Sequence, residues 1–67
     1  MSIIKVIEVL ASSKVSWEDA AQHAVKEAAK TLKNIRSVYI HDHSATVEKG
    51  KIVAYRVTAK ISFEIQH

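Results

Sequence analysis

Ile52-Val53-Ala54-Tyr55-Arg56-Val57-Thr58-Ala59-Lys60-Ile61-Ser62-Phe63-Glu64-Ile65 alternates strictly. Val53, Tyr55, Val57, Ala59, Ile61, Phe63 and Ile65 take one side, and Ala54, Arg56, Thr58, Lys60, Ser62 and Glu64 the other. Successive strand side chains point to opposite faces, so this period of two predicts a long strand with one face buried. Just upstream, Glu48-Lys49-Gly50-Lys51 contains the only glycine of the chain and marks a hairpin turn. The turn pairs this strand with the segment from Ile35 to Thr46. There Val38 and Ile40 lie on one face, and Ser37, Tyr39, His41 and His43 on the other.

Further upstream the period changes. Trp17, Ala20, Ala21, Ala24, Ala28 and Leu32 recur at spacings of three and four, with Val25 and Ala29 beside them. This predicts an amphipathic helix from Trp17 to Lys33. Ser16 is placed to cap it, and Glu18 and Asp19 suit the positive end of its dipole. The stripe is mostly Ala, so the helix can lie close to a sheet. Trp17 reads as a large anchor at the end of that stripe rather than as a ring that stacks a ligand. Before the helix, Ile3 to Leu10 is rich in Ile and Val, and reads as a strand with apolar residues on both faces. Ala11-Ser12-Ser13-Lys14-Val15 is the expected connection. The fold class is α+β: a β-α-β-β chain, one domain over residues 1–67, with a three-stranded antiparallel sheet wrapped around one helix.

Sixty-seven residues make a thin core. A chain of this length buries only about 60% of its unfolded surface, and small domains usually need a staple. With no Cys, disulfides and thiolate zinc sites are excluded. The four His, at 23, 41, 43 and 67, are too scattered for a structural metal core. One helix cannot cover both faces of such long strands, so the expected staple is self-association. The net charge of +3 is spread along the chain among acids rather than gathered in a stripe, which argues against nucleic acid as a partner. Lys5 and Glu8 interrupt the apolar N-terminal segment, so neither a signal peptide nor a membrane span is expected, and the cytoplasm is the expected location.

Lys5-Val6-Ile7-Glu8-Val9, the Ser12-Ser13 pair, the Ala-rich helix and Tyr55-Arg56-Val57-Thr58-Ala59-Lys60-Ile61-Ser62-Phe63 together resemble the dodecins, over nearly the whole chain. The resemblance implies a β-α-β-β protomer that assembles into a hollow, spherical homododecamer. It also implies a binding and storage protein rather than an enzyme. Many dodecins bind riboflavin or FMN, and some bind coenzyme A. In the family, a Trp on the second strand stacks on the flavin ring and a Gln on the third hydrogen-bonds its polar edge. Here Ser37 and Arg56 occupy those positions, while Asp42 matches an Asp found in some members and Tyr39 shares the face of Ser37. Stacking is worth about 0.5–1.5 kcal/mol beyond area burial, and Ser supplies none of it. Flavin binding is therefore expected to be weak or absent. Arg56 is open to three roles: stacking on a ring, binding a phosphate or forming an intersubunit ion pair.

Ser16-Trp17-Glu18-Asp19-Ala20-Ala21, Ile35-Arg36 and Tyr55-Arg56 resemble a subset of the family that lacks the stacking Trp and includes a calcium-bound member. Calcium prefers several oxygen ligands, and Asp42, Glu48 and Glu64 are the candidates, multiplied by symmetry. His41-Asp42-His43 raises a second metal possibility, because two His on one face can hold zinc or copper. An exposed polar face near a hairpin explains the pair equally simply. A His41–Asp42–Ser44 relay is not expected, since adjacent strand residues point apart. The lone Gly50 gives no phosphate loop, and no two carboxylates have an acid–base arrangement. The remaining alternative is a structural or ion-binding assembly with no organic ligand.

Overall fold

In a computed structural model that describes residues 3–65, strand β1 (Ile3–Ser13) leads into helix α1 (Trp17–Ala28), followed by β2 (Ile35–Glu48) and β3 (Lys51–Ile65). His67 and the extreme ends of the expected domain lie outside the described residues. All pairings are antiparallel, in the order β1-β3-β2, so the strand with the strictest alternation is the central one. The α+β arrangement expected from the sequence is the one observed.

The β2–β3 turn is as tight as a hairpin allows. Glu48 pairs with Lys51, leaving Lys49 (φ 52°) and Gly50 (φ 77°) as a two-residue loop. Two consecutive positive φ values match the right-handed twist of the flanking strands, which explains the single glycine.

The helix covers one face of the sheet, termed here the inner face. Val57, Ala59 and Ile61 of β3 are at most 2% exposed, Ala24 of the helix packs on Ala59 and Ile61, and Ala20 is buried one turn earlier. Alanine on both sides brings helix and sheet close, and Ile7, Val9, Ala11, Ala28 and Ile35 close the margins. Burying Ile61 fully contributes about 1.5–3 kcal/mol. Among the described residues nothing covers the other, outer face.

Three boundaries differ from expectation. The helix ends at Ala28 rather than Lys33. Beyond it the backbone tightens, with Lys30 N–H donating to Glu27 and Thr31 N–H to Ala28. Leu32 N–H still reaches Ala28, so the apolar period outlives the regular helix. Asn34, at φ 61°, then turns the chain into β2. At the other side of the helix, β1 runs three residues past Leu10. Ala11, Ser12 and Ser13 pair with Val57, Arg56 and Tyr55, and polarity does not stop a strand whose partner continues. Likewise β2 runs to Glu48, two residues beyond Thr46, because the tight loop keeps the ladder closed.

Three bulges interrupt the β2–β3 ladder. Arg36 and His41 are extra residues on β2, and Val53 is extra on β3. Each adds local twist and re-aims the residues that follow.

Candidate ligand-binding face

Register places the outer-face residues in rows across the sheet. Ser12, Arg56 and Ser44 form one row, and Leu10, Thr58 and Asp42 the next. Glu8, Lys60 and Tyr39 follow, then Val6, Ser62 and Ser37. Ser37, Tyr39, Asp42 and Arg56 therefore all lie on the outer face. The Ser37 and Ser62 hydroxyls are hydrogen-bonded at 2.5 Å. Tyr39 is 62% exposed, an aromatic ring with no cover on a polar surface.

Sharing a face does not bring these residues together. Ser37 is level with Ser62 and Arg56 lies six positions along the same strand, about 20 Å away at the strand rise. A single small ligand on one protomer cannot touch both. Around Arg56, an open hollow of about 280 Å³ is lined by Leu10, Asp42, Ser44 and Thr58. A neighbouring hollow of about 480 Å³ is lined by Glu8, Leu10, His41, Asp42 and Thr58. Leu10, Asp42 and Thr58 form their shared wall.

The His41 bulge corrects the reading of His41-Asp42-His43. The extra residue shifts the phase, so His43 faces inward opposite Val57 and leaves the face of Ser37 and Tyr39. Its ring packs against Trp17, with centroids 5.2 Å apart. His41 lines the outer hollow beside Asp42, although the two are adjacent in sequence. Among the described residues, no hydrogen bond links His41, Asp42 and Ser44. A bulge is silent in an alternation pattern, which is why the hollow around His41, Glu8 and Thr58 could not be read from sequence.

The three candidate carboxylates are also dispersed within one protomer. Asp42 sits at the level of Thr58, Glu48 at the hairpin and Glu64 near the far end of β3. Glu48 and Glu64 are separated by about 40 Å along the sheet. Glu64 accepts from the Arg36 guanidinium at 2.6 and 3.1 Å. Among the described residues, no three His, Asp or Glu side chains lie close enough to hold a metal ion. Any site using these carboxylates must draw on more than one chain.

Trp17 is accounted for by structure. Its Nε1 donates to the Ser44 carbonyl at 2.8 Å, and its ring meets Tyr55 and His43 edge-on. It ties the first turn of the helix to the hairpin, as the anchor reading expects.

Element order, strand lengths, the Ala-lined joint and the exposed polar face define a class of small β-α-β-β protomers with an open sheet face. The dodecin family model matches residues 3–66, and the chain belongs to that family. The calcium dodecin of Mycobacterium tuberculosis is 32% identical over 66 residues, covering 98% of this chain and 93% of that one. The crystal structure of that calcium dodecin, described as calcium chelating with a novel calcium-binding site, superposes with a TM-score of 0.82 at 34% identity. It covers 96% of this chain and 91% of its own. A variant of the Thermus thermophilus dodecin gives a TM-score of 0.94 at 22% identity over the full length of both chains. A Streptomyces coelicolor dodecin gives 0.92 at 23%, over 98% and 94%. These last two show the fold alone. No helix among the described residues is long and apolar enough to cross a membrane.

Proposed function

We propose that the chain is a binding and storage protein, not an enzyme, which assembles into a closed homododecameric cage and holds a small ligand or ion between subunits. The observation that carries the assembly is its surface. The protomer exposes 5170 Å², whereas a compact globule of its mass exposes about 4,200 Å². Its radius of gyration is 13.8 Å against about 11 Å for a compact chain of this length. Leu10, Val6 and Ile4 on the outer face of β1 are each more than half exposed, so the uncovered side of the sheet is partly apolar. Such a slab is a component rather than a finished globule.

Ligands are held on the outer face near Ser37, Tyr39, Asp42 and Arg56. The distance between Ser37 and Arg56 supports a site completed by a second subunit. Flavin binding is weak or absent, because Ser37 offers no ring to stack. Ser37→Trp combined with Arg56→Gln is expected to raise flavin affinity, read by quenching of flavin fluorescence. An assembled double variant with unchanged affinity rejects this placement of the site.

A second reading is favoured by the 32%-identical relative that bears calcium in its name. Here the cage is a calcium-binding assembly without organic ligand, and Asp42, Glu48 and Glu64 from different subunits supply the oxygen ligands. Chelator then lowers the melting temperature and added calcium restores it. A melting curve indifferent to both rejects the calcium reading. Native mass spectrometry of the untreated protein tests the assembly itself. Twelve chains of 7.5 kDa total about 90 kDa, and bound flavin or metal appears as added mass. A monomer or dimer rejects the cage.

A further inference from the structure

The His41 bulge does more than move His43. Strict alternation would leave Ile40 and His43 on opposite faces, but the extra residue puts both on the inner face, opposite Ala59 and Val57. With the first turns of the helix they enclose an open hollow of about 320 Å³, lined by Trp17, Glu18, Ala21, Ile40, His43 and Val57. It lies across the sheet from Ser37, Tyr39, Asp42 and Arg56, and is separate from the face they share. Val57, 2% exposed, is its floor, while Trp17 and Ile40 remain 37% exposed and Ala21 is too small to fill it. The Nε1 bond to Ser44 and the edge-on contacts with Tyr55 and His43 hold the indole still, so the anchoring ring is also a preformed wall. Although the chain has a net charge of +3, no Lys or Arg lines this hollow. Its one carboxylate, Glu18, has no hydrogen-bond or ion-pair partner among the described residues, whereas Asp19, Glu27 and Glu64 each have one.

We propose that this hollow binds a small quaternary ammonium ion, with its methyl groups against Trp17, Ile40 and Val57 and its charge balanced by Glu18. An aromatic wall attracts a cation through the ring quadrupole, and quaternary ammonium ions are recognised in this way. Their charge is wrapped in methyl groups, so they meet apolar walls without shedding a tight hydration shell. A primary ammonium or a metal ion is strongly hydrated and would lose water against Ile40 and Val57 with no hydrogen bonds in return. A neutral apolar ligand would leave the Glu18 carboxylate unused. The site stands on one protomer and needs neither the assembly nor the outer-face ligand proposed above.

Trp17 is the single indole of the chain, so its emission reads the site directly. Choline is the probe, the uncharged alcohol with carbon in place of its nitrogen is the comparison, and sodium chloride controls for ionic strength. The intact protein is titrated at about pH 8, above the range in which an ordinary imidazole takes up a proton. Choline is expected to change the emission saturably in the millimolar range, and salt to give no saturable change. The alcohol is expected to bind about tenfold more weakly. Glu18→Gln is expected to weaken choline about tenfold and to erase its advantage over the alcohol. Ala21→Leu fills the hollow, leaves the Trp17 bond to Ser44 in place, and is expected to abolish the response with unchanged far-ultraviolet circular dichroism. Absence of a saturable response to choline overturns the site. An equal response to the alcohol, or unchanged choline affinity in Glu18→Gln, overturns its preference for a cation. A response kept by folded Ala21→Leu puts the binding elsewhere and also overturns the site. None of these outcomes bears on flavin, calcium or assembly mass, so the outer-face reading stands or falls separately.

Discussion

Ser13 carries more of the strand-to-helix turn than its size suggests. Its hydroxyl donates to Asp19 Oδ2 at 2.6 Å and accepts from the backbone N–H of Val15 at 2.9 Å. Three residues on, the Ser16 hydroxyl accepts from Asp19 N–H at 2.9 Å. Cap and brace thus converge on Asp19, which also faces His23 at 3.4 Å. Ser16→Ala is expected to cost about 1 kcal/mol as a lost cap, measured by chemical denaturation. Ser13→Ala is expected to cost about 1–3 kcal/mol, since it strips partners from Asp19 and from the loop amides. The cap was legible because Ser before an apolar period is a local signal. The brace was not, because Ser13 reads as loop until β1 is known to reach it. On the exposed helix face, the Lys30 ammonium hydrogen-bonds Glu27 at 2.8 Å and, with its charge, lowers the carboxyl pKa below its usual 4.5. A depressed carboxylate stabilises the fold above its unfolded pKa and loses that contribution as the pH falls through its folded value. Glu27→Gln should therefore lower the melting temperature slightly at neutral pH, where the contribution is present, and leave the acid end of the profile nearly unchanged.

Among the elements, the hairpin loop has the clearest conformational demand. Gly50 at φ 77° has open space where a Cβ would be, so an alanine there meets a backbone penalty rather than a clash. Gly50→Ala is expected to cost about 1–2 kcal/mol in thermal or denaturant melts. Lys49→Asn keeps the left-handed conformation with a residue better suited to it, and is expected to raise stability modestly in the same melts. The strand pattern of β3 was readable from Ala54 onward because the central strand feels the helix over most of its length, and it fails only at the Val53 bulge beside the hairpin. The β2 pattern was readable only as far as Ile40, where His41 bulges and moves His43 to the inner face. Alternation shows which side a residue faces only while the ladder stays in step. The apolar period overruns the helix end for a related reason: Leu32 keeps it through a turn that has already tightened.

At the scale of the molecule, three long strands and a short helix form a body 52 × 19 × 13 Å. Apolar residues on both faces of β1 led to the expectation of contacts on both sides, and the protomer covers only one. Leu10, at 72% exposure, is the plainest case. If other copies cover the rest, folding and assembly are linked by mass action, and the melting temperature rises with protein concentration. A melting temperature unchanged over a hundredfold dilution rejects that linkage, unless the cage persists at the lowest concentration by native mass spectrometry. The fold was legible because period, turn and cap act locally. The candidate site was legible only as a set of residues on one face, because alternation gives the face of a residue and not its distance from the others along the sheet.

Trp17 has one further consequence. It is the single indole of the chain, hydrogen-bonded to Ser44 and held edge-on by Tyr55 and His43. Its emission therefore watches one joint, the seam between helix and hairpin. Unfolding that opens the seam shifts the spectrum to the red. Dissociation that leaves each subunit folded keeps the indole in its bond to Ser44. A spectrum followed beside light scattering thus separates loss of shape from loss of company, with no dye and no added label.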